Sequence, residues 1–262
     1  MHTVIFLGNT PSEIELLSAA GCTAFFSSQN VFVSERDFRP LPGVEVEFDA
    51  VYNARPVPEK RHELAAEIER VVYICGVTSV AEPPEARRIV ADLLALGPKH
   101  IIVNDMADGL PGWLDRQAVN NALARAAVGL CLTAVEGAMY ASVEYLLAGL
   151  PIVSTPSLGG REIFFDPDYC LIVEANPRAI REAVSALRRR DIPRQYVRER
   201  TLARLEPERQ RFMAFVEDIK AQHGVPRAYE TEWNYPEGLQ LRWRRVEDHA
   251  GDFFGRDEAG RR

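Results

Sequence analysis

Residues 128 to 162, VGLCLTAVEGAMYASVEYLLAGLPIVSTPSLGGRE, constrain the fold more than any other stretch of the chain. Val128 to Thr133 is an apolar run without polar alternation, the mark of a strand covered on both faces. Ala138 to Ala148 carries a helical pattern, and Gly149 leads into a second buried run at Pro151 to Ser154. This is a β-α-β unit. Such units pack as a parallel sheet with helices laid over it.

The same grammar repeats along the chain. Apolar strand runs are expected at Thr3 to Gly8, Cys22 to Ser27, Asp49 to Ala54, Val71 to Gly76, His100 to Asn104 and Cys170 to Glu174. Helices are expected at Pro11 to Ala20 behind the Thr10 cap, Pro58 to Arg70, Pro84 to Leu96, Asp115 to Ala127 and Pro177 to Arg190. Val197 to His223 adds one or two more, whose alternating charges read as a solvated face. The predicted fold is α/β: a Rossmann-like, mostly parallel sheet with helices on both faces over residues 46–224. A short β-α-β arm and linker precede it at 1–45, and an aromatic tail follows at 225–262.

Composition narrows the function. A 262-residue chain that is 47% hydrophobic and 26% charged suits a folded globular protein. Its net charge of -7 and pI near 5.4 disfavour non-specific attraction to nucleic acid or anionic membrane. Cys22, Cys75, Cys131 and Cys170 are far apart, with no C-x-x-C pair, so they read as buried reduced thiols in a cytoplasmic protein. No signal peptide is read before the first strand, and no apolar run approaches a membrane span.

Metal chemistry finds no support in the spacing. Asp166-Pro167-Asp168 spells D-x-D, but proline between two aspartates is turn chemistry. Asp105 and Asp108 do not open a calcium loop, because Arg116 stands where a bidentate glutamate is needed. The histidines lack zinc-type spacing, and His62 reads as a helix-surface residue.

Two constellations remain. Glu136 falls in the strand-to-helix turn and Glu144 two helical turns later, so both reach the crevice beyond the strand ends where open α/β sheets bind ligands. The amides of Gly137, Ala138 and Met139 are expected to open the helix as free donors, suited to sugar hydroxyls or phosphate oxygens. Arg55 at a strand end and Lys60 on the next helix's first turn are in R-x4-K register. A diphosphate is the natural occupant of that pair.

Glu136 and Glu144, followed by AGLPIVST, GGRE and VEANPRAIREAV, resemble the E-x7-E motif and its surroundings in the family 4 glycosyltransferases of GT-B fold. The NVFVSERDFRPL stretch at 30–41 resembles the linker by which such enzymes leave their acceptor-binding domain. One departure is that Ala138 and Met139 follow Gly137, where the family often has a second glycine.

The resemblance implies a retaining transferase whose donor is a nucleotide-diphosphate sugar, with no metal and no separate cofactor. Arg55 and Lys60 would hold the diphosphate, Glu144 the ribose, and Glu136 with the 137–139 amides the donor sugar. Catalysis would rest on Glu136, Arg55 and Lys60, and the loop from Asn104 to Met106 would meet the base. The acceptor, whether glycan, lipid or small molecule, is unspecified. A second reading is a non-catalytic donor-binding subunit. The early linker leaves 1–45 as a remnant of the acceptor domain, the rest being missing or supplied by another chain. Residues 1–45 and the tail around Trp233 to Trp243 are then expected to pack on a second copy or another protein. Tyr229, Trp233, Tyr235, Leu239 and Trp243 would alternatively cover the arm or line an acceptor groove.

Overall fold

A computed structural model describes residues 4–77, 83–222 and 224. The arm is β1 (Ile5–Gly8), α1 (Pro11–Ala19) and β2 (Thr23–Phe26), with β1 and β2 paired in parallel. Next come β3 (Phe48–Asn53), β4 (Val71–Ile74), α2 (Pro83–Ala95) and β5 (His100–Ile102). A small antiparallel hairpin, β6 (Met106–Ala107) and β7 (Leu110–Pro111), leads to α3 (Arg116–Ala124) and β8 (Ala126–Cys131). The chain continues through α4 (Tyr140–Leu147), β9 (Ile152–Ser154), β10 (Cys170–Ile172), α5 (Pro177–Arg190) and α6 (Arg194–Gln222). The tail rings named above lie outside the described residues.

Six strands form one parallel sheet in the order β10-β9-β8-β3-β4-β5. From β3 the chain winds outward to β4 and β5, then returns to β8 and winds the other way. Right-handed crossovers in opposite directions put their helices on opposite faces. One face is covered by α2, α5 and the turn at residues 62–65, the other by α3 and α4, with α6 packed on α4. The α/β expectation, with helices on both faces, is met.

Local chemistry explains the element ends. Thr10, Asp115 and Asn176 cap α1, α3 and α5, each accepting a backbone N–H of the first turn through its side chain. Three arginines close the last turn of α5, where carbonyl ends favour cations. In β8, Gly129 is required because a Cβ there would lie 2.3 Å from Cδ2 of Tyr145.

Several expectations are corrected. Pro58 to Arg70 is not a helix: it makes two 3₁₀ turns, Pro58–Lys60 and His62–Ala65, broken at Arg61 in the left-handed region (φ 49°). The helix expected from Ala138 starts at Tyr140, so Gly137 and Ala138 precede it and Met139 is its N-cap. His62 is not at the surface but only 3% exposed, beside the Tyr52 and Tyr73 rings. Burial, with the Lys60 charge adding to it, pushes its pKa down to about 4.

The four cysteines are unpaired, three of them buried and Cys22 intermediate. Asp166 does sit in a turn and is 1% exposed, bonded by Arg200 and Arg204, which outweigh the burial cost and hold its pKa down at about 2.

The C-terminal helical stretch is a single helix, α6, with Pro207 inside it, and much of its charge turns inward rather than into solvent. Arg194 donates to the carbonyls of Ala124, Ala126 and Ala148. Arg198 donates to those of Glu35, Phe38 and Leu147, and the 2%-exposed Arg209 to those of Val31 and Val33. Phe215 stacks on Phe25 at 3.8 Å between ring centroids. Parts of the arm and linker are thus held by α6 of their own chain. Among the described residues, no helix is long and apolar enough to cross a membrane.

Candidate functional site

The direction of winding reverses between β3 and β8, and the loops leaving these strands part there to form the crevice in which open parallel sheets bind ligands. Asn53 ends β3, and residues 132 to 139 leave β8 above it. The loop after β9 supports them from the side. Leu158 accepts the Glu136 N–H at 2.8 Å and returns its own N–H to Ala134 at 2.9 Å. This close approach needs glycine: at Gly159 (φ 120°) a Cβ would stand 2.2 Å from the Glu136 carbonyl oxygen. From the other side the arm reaches in. A Cβ on Gly160 would lie 2.7 Å from the Asn9 carbonyl oxygen, and one on Gly137 3.3 Å from Asn9 Nδ2.

Lys60 and Glu136, 76 residues apart, are ion-paired across the crevice with side chains only 15% and 17% exposed. The second Glu136 oxygen accepts from the Thr133 hydroxyl. Arg55 is exposed two residues past β3 and meets no carboxylate among the described residues. The amides of Gly137, Ala138 and Met139 precede the helix and donate no hydrogen bond among the described residues.

Glu144 accepts from Asn53 Nδ2 at 2.9 Å, while the Asn53 N–H donates to the Tyr145 hydroxyl at 2.6 Å. Burial raises the Glu144 pKa to about 7, opposed by the Asn53 bond and the Arg116 charge. In the unfolded chain this carboxyl ionises near its ordinary 4.5, so between 4.5 and 7 the folded protein holds more protons. The Glu144 contribution to stability is therefore expected to fall as pH rises through that window, by on the order of 1–3 kcal/mol, while buried His62, held neutral down to about pH 4, contributes with the opposite sign below its ordinary 6.5. Urea unfolding at half-unit pH steps measures this. Glu144→Gln should remove the falling contribution and leave stability rising more steeply with pH between about 4.5 and 6.5, and a profile identical to wild type's in that variant would overturn the assignment.

Asn104, expected near a base, is buried. It is 4% exposed, accepts from the Cys75 N–H at 2.8 Å and donates to the Gly112 carbonyl at 2.7 Å. Its carboxamide is engaged at both ends in tying the 105–112 loop to β4.

Sequence reasoning missed four supporting residues: Asn53, Arg61, Thr133 and Arg161. Arg61 donates to the Leu132 carbonyl and, at 2.7 Å, to the Thr155 hydroxyl. Arg161 is fully buried and donates to the Thr133 carbonyl and hydroxyl, the Ser154 hydroxyl and the Thr155 carbonyl. Only their adjacency to Lys60 and to Gly160 could have drawn attention to the two arginines. Among the described residues, no group of three His, Cys, Asp or Glu is placed to hold a metal ion.

No protein-family model and no curated protein matches this chain. Solved structures do. Sucrose-phosphate synthase from Thermosynechococcus elongatus aligns at 16% identity and TM-score 0.64, over 83% of this chain and 59% of that one. HepE from Anabaena, in complex with UDP and glucose, aligns at 13% and 0.59, over 80% and 62%. The pneumococcal O-GlcNAc transferase GtfA, in complex with UDP and GlcNAc, aligns at 14% and 0.54, over 82% and 45%. The chain thus spans 59% and 62% of the first two of these proteins. At such identities the likeness speaks of architecture, and the architecture is plain: this chain has the α/β fold of the GT-B glycosyltransferases.

Proposed function

We propose that the crevice between β3 and β8 binds a nucleotide-diphosphate sugar and that the chain transfers the sugar, with retention, to an acceptor. The observation that carries this reading is the meeting of Lys60 and Glu136 there, beside the open 137–139 amides and the Glu144 carboxyl. Solved neighbours that hold UDP and a sugar support the donor class.

In this reading the diphosphate takes the Lys60 ammonium from Glu136, and exposed Arg55 closes on it. A charge-assisted bond from ammonium to phosphate oxygen is of the strong kind. Negative charge grows on the leaving diphosphate as the glycosidic bond stretches, and Lys60 and Arg55 stabilise it where it develops. Glu136, released from Lys60, faces the donor sugar together with the amides of residues 137–139. Glu144, steadied by Asn53, takes the ribose hydroxyls. Metal-free donor handling is part of the proposal, since the basic pair would do the work of a cation.

Calorimetric titration with UDP-, GDP- and dTDP-linked sugars tests it. One donor series should bind the wild type. Lys60→Ala and Glu144→Ala should each weaken that binding about 10- to 100-fold, the loss of one charged hydrogen bond. A wild type that binds none of them, or two variants that bind like wild type, would end the assignment.

A further inference from the structure

Lys60 is not held by a helix. It ends a single 3₁₀ turn, Pro58–Lys60, and the chain reverses hand at the next residue. Left-handed backbone is the natural place for glycine, because a side chain there crowds the following carbonyl. Here the position is an arginine, and its side chain reaches the opposite wall of the crevice through Nε and Nη2. Arg61 Nε donates to the Leu132 carbonyl at 2.6 Å, and Nη2 donates to the same oxygen and to Thr155 Oγ1. The Thr155 hydroxyl also donates to the Leu132 carbonyl at 3.1 Å, which joins the ends of β8 and β9 under the guanidinium.

Leu132 is followed by Thr133, whose hydroxyl donates to Glu136. The residue after Lys60 is therefore bolted to the strand end that leads into Glu136. A further restraint on the turn is the Tyr52 hydroxyl, which donates to the Lys60 carbonyl from β3.

We propose that Arg61 is a positioning residue: it fastens the 3₁₀ turn of Lys60 to the ends of β8 and β9, and so sets the Lys60 ammonium opposite Glu136. Its role within the fold follows from the contacts above. Its role toward a diphosphate rests on the function proposed in the preceding section.

Arg61→Gly and Arg61→Lys test this together. Glycine suits the left-handed backbone and removes the guanidinium, so the fold should survive, as a thermal melt close to wild type would show. A crystal structure of ligand-free Arg61→Gly should show the Lys60–Glu136 pair broken with β3 and β8 in place. Affinity for the donor that binds wild type should fall about 10-fold, a single charged hydrogen bond's worth. Affinity for the matching nucleoside, which has no diphosphate, should stay within about twofold, given that tenfold corresponds to 1.4 kcal/mol. Arg61→Lys, with charge but no fork, should recover part of the loss. An intact Lys60–Glu136 pair in Arg61→Gly overturns the proposal, as does an equal loss of nucleoside affinity. If wild type binds no nucleotide, the functional reading falls, and the ligand-free structure still decides the positioning role.

Discussion

Arg161→Met is expected to cost about 3 kcal/mol of unfolding free energy, and so to lower the midpoint by roughly 10 °C in a domain of this size. The guanidinium is fully buried at the meeting of the loops after β8 and β9. It donates to the Thr133 carbonyl at 2.8 Å and hydroxyl at 2.7 Å, to Ser154 Oγ at 3.0 Å and to the Thr155 carbonyl. The nearest carboxylate, Glu162, stays 3.6 Å from Nε, and Nε itself has no hydrogen-bond partner.

Two effects oppose each other in the substitution. Removing a poorly paired buried cation regains its desolvation cost, often several kcal/mol. Leaving the Thr133 carbonyl without this donor, and the Thr155 carbonyl with only the Ser154 hydroxyl, costs roughly 1–3 kcal/mol for each group that water cannot reach. The second effect wins, because the loops cannot open to water without breaking the Glu136 to Leu158 bond. Urea unfolding at fixed pH decides it. Arg161→Lys, with three donors in place of five, should fall between wild type and methionine. A loss below about 1 kcal/mol for Arg161→Met would mean that the loops re-pair on their own.

Gly129→Ala should destabilise by about 2–3 kcal/mol, although it adds a single methyl group. That methyl would sit 2.3 Å from Cδ2, 2.5 Å from Cγ and 3.0 Å from Cβ of Tyr145. Tyr145 is fully buried, and its hydroxyl accepts the Asn53 N–H, so the ring has nowhere to turn. The strain must pass into α4 and carry Glu144 away from Asn53. Donor affinity should therefore fall about 10-fold along with stability, the size of one lost hydrogen bond to a charged group. Denaturant unfolding and the titration described above read the two effects separately. Wild-type stability in Gly129→Ala would show that the ring has slack; lost stability with full donor affinity would show that Glu144 does not depend on this contact.

These two residues also mark where the sequence stops being readable. Unalternating apolar runs separated by amphipathic stretches dictated a parallel sheet covered by helices, because strands buried on both faces allow nothing else. The turn position of Glu136 and the helical position of Glu144 followed from chain-local pattern, as did the caps at Thr10, Asp115 and Asn176. All of these depend on neighbours within a few residues.

What the sequence could not reveal depends on groups far apart along the chain. Pro58 to Arg70 has helical composition, yet Arg61 leaves the helix because its guanidinium finds the Leu132 carbonyl, 71 residues away, and Thr155, 94 away. Arg161 reads as a polar loop residue until β8 and β9 bring Thr133 and Ser154 around it. The alternating charges of α6 look solvated until Arg194, Arg198 and Arg209 meet carbonyls on elements 46 to 178 residues away. Asn104 looks free to meet a base until the Cys75 amide and the Gly112 carbonyl claim both ends of its carboxamide. In each case a backbone group is among the partners. Every residue carries such groups, so no side-chain pattern announces them, and only the packed chain decides which are left unpaired for an arginine or asparagine to fill.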